Sequence, residues 1–387
     1  MFVYSAGSLD VPRMERMANE SGQNNLLFTF AHKDAQECAR HFCKQPHRNI
    51  IVDSGAFSTW NKDLSVSLEE YIAFCRELKE IAQCPIAFMS LDKIAGSRVE
   101  GRLPTEKQTE EACETSWKYY RQLRAAGIEA IPTFHQFEDP KWLFQFLDDG
   151  IDYIALSPRK SGVSTADKVE WLGHVFKEVG IDTKVHGLGV AGSEAMESFP
   201  FYSIDSSSWL QGSNGTFRYF DGRRVRSLSR DDWQKDSIQA QWDDGTDAVA
   251  EARKEYRPPG PGGNYHFMMR ALEADARLQG FLTRLWSQRG VHCDSVPASA
   301  VGIDHVEQSN NLYREFYHAR SVRRVAESQG MALDYVDWAI RVGRETAYWQ
   351  AYQRGELPLE SLADQLAWHE WNQQLSLREI YLPRQRG

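Results

Sequence analysis

The sequence lacks the features that structural zinc sites and membrane spans require. Its six cysteines include no Cys-x-x-Cys pair and no zinc-finger spacing, and five of them fall in the first third of the chain. We therefore interpret them as reduced, structural thiols. No apolar run approaches the roughly 20 residues of a membrane span, and the first residues carry no basic signal region. These absences predict a cytoplasmic protein that makes no membrane contact.

An excess of positive charge is also missing. The formal net charge is −9, which disfavours broad, charge-driven coating of nucleic acid, although a local basic patch can still attract phosphates. Hydrophobic residues make up 42% of the 387 residues and charged residues 26%, as in ordinary globular proteins. A chain of this length can bury one large core together with an appendage.

Before residue 210, eight short apolar runs alternate with segments of helical periodicity such as Ser67 to Ile81 and Thr105 to Ala126. This alternation predicts a (β/α)8 TIM-like barrel, with a doubly wound open sheet as the alternative. Polar residues at the strand ends favour the barrel, because its strand ends meet at one mouth. The predicted strands are Phe2 to Ser5, Leu26 to Phe30, Asn49 to Asp53, Pro85 to Leu91, Ile128 to Phe134, Tyr153 to Leu156, Lys184 to Leu188 and Phe201 to Asp205.

The remaining residues have a different, helical pattern. We predict a barrel over residues 1–230 and an α-helical extension over residues 231–387, which could bind nucleic acid. The Pro/Gly cluster from Pro258 to Gly263 cannot continue a helix and predicts a loop. Helices are predicted at Tyr265 to Arg289, Asn311 to Gln329, Leu333 to Arg354 and Leu359 to Gln374.

Two predicted strands each end in an aspartate that is followed by small residues. Asp53 ends one apolar strand and is followed by Ser-Gly-Ala-Phe57, while Asp205 ends the last strand and is followed by three serines. Catalytic residues of parallel α/β folds collect at the carboxyl ends of the strands. Asp53 and Asp205 are therefore the first candidates for catalysis.

The segment Asp53-Ser-Gly-Ala-Phe-Ser58 resembles the Asp-Ser-Gly-Gly-Phe/Tyr-Gln motif of tRNA-guanine transglycosylases, barrel enzymes that exchange guanine for a 7-deazaguanine. Ser90-Leu-Asp92, Phe134-His135-Gln136, the segment from His186 to Glu194 and Ile204-Asp205 are similar to further motifs of that family, in the same order. The resemblance covers about residues 45–210 and is closest in style to the DNA 7-deazaguanine transglycosylases of phages and bacteria.

The resemblance implies a role for each matching residue. Asp205 corresponds to the nucleophile or charge-stabilising carboxylate at C1′, and Asp53 is the expected acid or base. The partner it implies is DNA, with tRNA as the less favoured nucleic acid, and the co-substrate is a free 7-deazaguanine base. Base-binding roles fall on Ser54, Phe57, Asp92, His135, Gln136, His186, Gly187, Leu188 and Gly189.

The chain also departs from the family pattern. The tRNA enzymes carry a zinc site of three cysteines and a histidine after the barrel, whereas the carboxyl-terminal half here has only Cys293. No zinc and no other cofactor or metal is therefore expected. Ala56 and Ser58 replace a glycine and a glutamine of the base-binding loop, which leaves the accepted base open.

Four interpretations of the function remain. If a free base attacks the sugar after cleavage, the protein is a base-exchanging transglycosylase. If water attacks, it is a DNA glycosylase that leaves abasic sites and could act in antiviral defence. A non-catalytic nucleic-acid-binding barrel, or a barrel enzyme with a small substrate, belongs to a different class.

Arg223, Arg224 and Arg226 are the candidates for contact with the nucleic-acid backbone, with a solvated turn as their alternative.

Overall fold

The strands of the protein follow one another around a single parallel sheet. The computed structural model describes residues 1–62, 66–96, 104–159, 163, 165–179, 183–190, 195–235, 240–242, 245–256 and 264–288. Its strands are β1 Phe2–Ala6, β2 Asn25–Thr29, β3 Asn49–Asp53, β4 Ile86–Met89, β5 Ala130–Ile131, β6 Thr133–His135, β7 Tyr153–Ser157, β8 Lys184–Gly187, β9 Ser203–Ser206, β10 Phe217–Phe220 and β11 Val225–Leu228. Nine of them form one sheet in the order β5-β4-β3-β2-β1-β9-β8-β7-β6.

Strands β5 and β6 are two pieces of one strand position, because only Pro132 separates them. Proline has no N–H to donate to a neighbouring strand, so it interrupts the regular pairing. Its carbonyl still accepts a hydrogen bond from Ala155 N on β7 at 2.8 Å, and the carbonyl of Ile131 accepts from Ser90 N after β4 at 2.7 Å. The two ends of the sheet thus meet here, and the predicted (β/α)8 barrel is confirmed.

Alternation of side chains divides the core into an inner and an outer part. Phe2, Leu27, Ile51 and Met89 belong to a cluster that fills the barrel. Residues at the intervening positions, such as Val3, pack outward against the helices. Strands β1, β2 and β3 are therefore largely apolar on both faces, which explains the apolar runs at these positions of the sequence.

Helices fill the intervals between the strands. They are α1 Val11–Ser21, α2 Lys33–Phe42, α3 Ala56–Lys62, α4 Leu68–Ile81, α5 Glu106–Ala125, α6 Pro140–Asp148, α7 Thr165–Val179, α8 Ala195–Ser198, a 3-10 helix Ser208–Asn214, α9 Arg230–Trp233, α10 Ala248–Glu255 and α11 Tyr265–Gln288. Ser67 and Thr105 cap α4 and α5, and Thr105 forms a capping box with Gln108. These caps explain why the predicted helices begin where they do.

Helix α11 packs directly on the barrel. The side chain of Gln279 accepts a hydrogen bond from Val3 N on β1 at 2.8 Å, and Asp275 accepts one from the Ser5 hydroxyl at 3.0 Å. Near the other end of the helix, Trp286 Nε1 donates to the carbonyl of Met196 at 3.0 Å. This helix therefore shares the core of the barrel, although the sequence assigned it to the extension.

The predicted helices from Asn311 to Gln374 lie outside the described residues, so the boundary at residue 230 stays a prediction. Strands β10 and β11 form an antiparallel hairpin between β9 and α11. In the part of the chain that the structure describes, no helix has both the length and the apolar character needed to cross a membrane.

Candidate active site

Three aspartates reach the mouth of the barrel from the carboxyl ends of its strands. Asp53 ends β3, Asp92 follows β4, and Asp205 lies near the end of β9. Asp92 and Asp205 both act electrostatically on Asp53. The structure thus brings together carboxylates that are far apart in the sequence.

Burial, together with the neighbouring carboxylates, raises the pKa of Asp53. Loss of solvent raises its pKa first, and the negative charges of Asp92 and Asp205 raise it further. The hydroxyl of Thr29 and the amide of Gly55 act in the opposite direction, and the result is a pKa of about 7. A carboxyl group that titrates near neutral pH is suited to both giving and taking a proton.

His135 lies between two carboxylates. Its Nε2 is 2.7 Å from Oδ2 of Asp92, and its backbone N–H donates to Glu138 Oε2 at 2.9 Å. Burial acts to lower the pKa of His135, but the charges of Glu138 and Asp92 and the hydrogen bond to Asp92 outweigh it and raise the pKa to about 9. His135 is therefore a cation at neutral pH. Asp92, expected to read the base, already shares one oxygen with this imidazolium.

Asp205 is fixed by the loop that follows β8. Its Oδ1 accepts a hydrogen bond from Gly189 N at 2.8 Å. The same oxygen is 3.4 Å from Nε2 of His186, in a geometry that does not complete a hydrogen bond. His186 is fully buried, so its ring approaches the carboxylate from beneath the mouth.

A chain of hydroxyl groups lies behind His186. Its Nδ1 is hydrogen-bonded to the Ser203 hydroxyl, which also bonds the hydroxyl of Tyr153. If Ser203 donates to Nδ1, the proton of the neutral ring lies on Nε2 and faces Asp205. Ser203 and Tyr153 were not among the predicted site residues. Their inward-facing positions on strands are the signal that could have found them.

The glycine-rich loop has fewer available donors than the sequence implies. Gly189 N is bonded to Asp205, and Leu188 N donates to the carbonyl of Leu156 at 3.0 Å. In this conformation neither amide is available to a base carbonyl. Gly187 has a packing reason to be glycine, because an added Cβ would lie 2.4 Å from Val190 Cγ2. The predicted base contacts of this loop therefore require a rearrangement.

Two residues next to Asp53 have different environments. Ser54 is fully buried, and its hydroxyl has no hydrogen-bond partner among the described residues. Phe57, at the start of α3, is 41% exposed and its ring lies 5.9 Å from that of Trp60. Phe57 is thus placed to meet a ligand directly, whereas Ser54 lies below the surface.

A cavity of about 940 Å³ opens beside the aspartates. His135, whose ring also bonds Asp92, joins the cavity to the carboxylate cluster. Gln136 lines it too, with its side-chain oxygen accepting from Arg159 N at 3.0 Å. Three lining residues that the sequence did not single out are Trp60, Phe137 and Glu138.

The three arginines predicted to contact the nucleic-acid backbone lie elsewhere. Arg223 and Arg224 donate to the two oxygens of Glu197, and Arg226 donates to Asp221 Oδ2 at 2.6 Å. Glu197 belongs to α8, which leads into β9 from its amino end, whereas Asp205 lies near the other end. Arg223 and Arg224 thus hold α8 against the hairpin, whereas Arg226 pairs within the hairpin, and their contact with nucleic acid stays a prediction.

Comparison with models of known protein families finds no match, and no curated protein matches the chain. The fold and the site alone therefore define its class. It is a (β/α)8 barrel whose mouth gathers three carboxylates and a cationic histidine beside an aromatic cavity. Among the described residues no group of three or more potential ligands is arranged to hold a metal ion, and the absence of zinc stays a prediction.

Proposed function

We propose that this protein cleaves the N-glycosidic bond of a nucleotide in nucleic acid, DNA rather than tRNA, and exchanges the base for a 7-deazaguanine. The observation that carries the proposal is the convergence of Asp53 and Asp205 at one mouth of the barrel, where burial and the neighbouring carboxylates raise the pKa of Asp53 to about 7. Two carboxyl groups with different tasks are what glycosidic cleavage requires. The resemblance of the strand-end motifs supports a nucleotide as the substrate.

The exchange has two steps, cleavage of the glycosidic bond and attack by the incoming base. The bond between C1′ and the base nitrogen breaks, and its electrons leave with the base, which takes the proton of Asp53. A carboxylate oxygen of Asp205 forms an ester with C1′. The amide of Gly189 orients that carboxylate. Asp53, now ionised, removes a proton from the incoming base, which attacks C1′ and releases Asp205.

The surroundings of the aspartates fit this sequence of events. The His135 cation can donate to an acceptor atom of the base, and the free oxygen of Asp92 can accept from an N–H group. Phe57 presents an exposed ring on which an extruded base can stack. The target nucleotide must leave the base stack of the nucleic acid, because an enzyme that acts on a base cannot reach it inside a duplex.

The test measures released bases by mass spectrometry after incubation with DNA or tRNA, with and without free 7-deazaguanine bases. Release that requires an added base and leaves it incorporated supports exchange. Release without one, with alkali-labile sites left behind, identifies a hydrolytic glycosylase instead. Asp205→Asn should abolish release, and Asp34→Asn, at an exposed position of α2, is the matched control. More than a few per cent of activity in Asp205→Asn would exclude the nucleophile assignment.

A further inference from the structure

The cavity beside the aspartates displays aromatic rings to solvent. Phe57 is 41% exposed and Phe137 is 49% exposed, and both line the cavity. The other large hydrophobic residue that is exposed in the described part of the chain is Phe144, at 41%, and it does not line this cavity. Exposed rings are thus concentrated next to the proposed site of cleavage.

Phe137 also has a backbone conformation that phenylalanine disfavours. Its φ is 82°, in the left-handed region, and it is the only non-glycine residue with positive φ among those that the structure describes. A bulky residue there is strained, and exposure of its ring contributes no burial to the fold. The fold alone would prefer glycine, which favours a role for the ring in contact with a molecule outside the fold.

The charges around the cavity do not favour phosphate groups. Its lining includes Glu106, Glu110, Glu138 and Asp139, against Lys107, Arg159 and the His135 cation. Glu110 is paired with Lys141 at 2.5 Å, and Asp139 caps α6. An approximately balanced lining with flat rings and polar groups suits a heteroaromatic base with polar edges. It suits neither a purely apolar chain nor a phosphate cluster.

We infer that this cavity binds a second nucleotide, the one next to the target in a single-stranded or locally opened strand, with its base stacked on Phe137. This inference rests on the proposed function and names the form of its substrate. His135 links the two subsites, since its ring bonds Asp92 on one side and lines the cavity on the other. The target base meets Asp53, Asp92 and Phe57, and the neighbouring base occupies the far part of the cavity.

The experiment is a double-mutant cycle between Phe137 and the neighbouring base. In an Asp205→Asn background, which leaves the DNA intact, the dissociation constant is measured for short single-stranded DNA with one deoxyguanosine. Two further DNAs carry an abasic residue, one in place of the nucleotide before the deoxyguanosine and the other in place of the nucleotide after it. The protein variants are Phe137→Ala, Phe137→Trp and, as the matched control at an exposed ring outside the cavity, Phe144→Ala. Base release by the wild-type protein is measured on the same DNA.

Loss of one stacked base is expected to weaken binding about 5- to 150-fold. Phe137→Ala should weaken binding of the intact DNA by this factor. With one of the two abasic DNAs, in which the stacking base is missing, Phe137→Ala should bind as tightly as the parent protein does. Phe137→Trp and Phe144→Ala should bind as the parent does.

The inference would be overturned if Phe137→Ala bound as tightly as the parent. It would also be overturned if Phe137→Ala lost the same affinity for the intact DNA and for both abasic DNAs. In either case, base release by the wild-type protein would leave the proposed function standing. Absence of both DNA binding and base release would overturn the two together. Because Phe137→Ala could fail through misfolding, circular dichroism and the denaturation midpoint of each variant are compared first. Phe137→Trp, which keeps an aromatic ring, gives a second measurement of the same contact.

Discussion

Replacement of Asp53 by asparagine should stabilise the protein at high pH. The native pKa of about 7, against 3.8 for an unperturbed aspartate, means that the folded state holds a proton that the unfolded state has lost. Between these two values each pH unit removes roughly 1.4 kcal/mol of stability. The penalty therefore grows as the pH rises to about 7 and stays constant above it. Asparagine has nearly the same size and never carries the charge.

The shift of the Asp53 pKa sets an upper limit of about 4 kcal/mol for this effect above pH 7. Asp53 is partly open to solvent at the mouth, which reduces the effect. We expect the difference in the free energy of unfolding between Asp53→Asn and wild type to grow by about 1–3 kcal/mol from pH 5 to pH 8. The same variant should lose base release, so activity and stability would change in opposite directions.

Urea denaturation at a series of pH values measures this difference, with Asp34→Asn as the control. The control lies on the exposed side of α2 and should change by less than about 0.5 kcal/mol across the range. Comparing variants at each pH also removes most of the contribution of His135, whose raised pKa stabilises the fold at low pH and ceases to do so as the pH rises through about 9. A difference between Asp53→Asn and wild type that does not vary with pH would refute the reasoning.

Further predictions follow from the same contacts. Turnover should fall as the pH rises above about 7, because Asp53 loses the proton that the leaving base needs; an activity that is constant to pH 9 contradicts this role. Phe137→Gly should raise the free energy of unfolding by about 1 kcal/mol by removing backbone strain, as measured by urea denaturation. Glu197→Gln should lower it by about 1–3 kcal/mol, because Arg223 and Arg224 lose their buried carboxylate partner. DNA affinity should stay unchanged if these arginines only hold α8, and weaker binding would support their predicted contact with the nucleic-acid backbone. Tyr153→Phe should lower kcat roughly two- to tenfold with KM unchanged, because it removes the hydrogen bond to Ser203, which holds His186. A change in KM alone would contradict a role of Tyr153 in positioning His186.

The barrel could be predicted from the sequence because its strands are buried on both faces and read as continuous apolar runs. Asn49–Asp53 was predicted with its observed bounds, and the other strand ends differ by up to two residues. Pro132 is the local exception, and its missing N–H explains why one predicted strand is divided in two.

The candidate site was only partly predictable. Asp53 and Asp205 could be found because each follows a buried strand, but the pairing of His135 with Asp92 joins residues 43 positions apart. The partner of the hairpin arginines, Glu197, is likewise remote from them in the sequence. Periodicity shows which face a residue occupies, and it does not show which side chain it meets across the fold.

The packing of α11 on β1 has a consequence for how the protein is made. Val3 and Gln279, joined by a hydrogen bond, are 276 positions apart, and β1 also pairs with β9. During synthesis β1 leaves the ribosome long before α11, the last described helix, so its outer face is covered only after α11 has been made. Until then an apolar face remains exposed, so a pause in translation before residue 264 should favour aggregation or chaperone binding of the nascent chain.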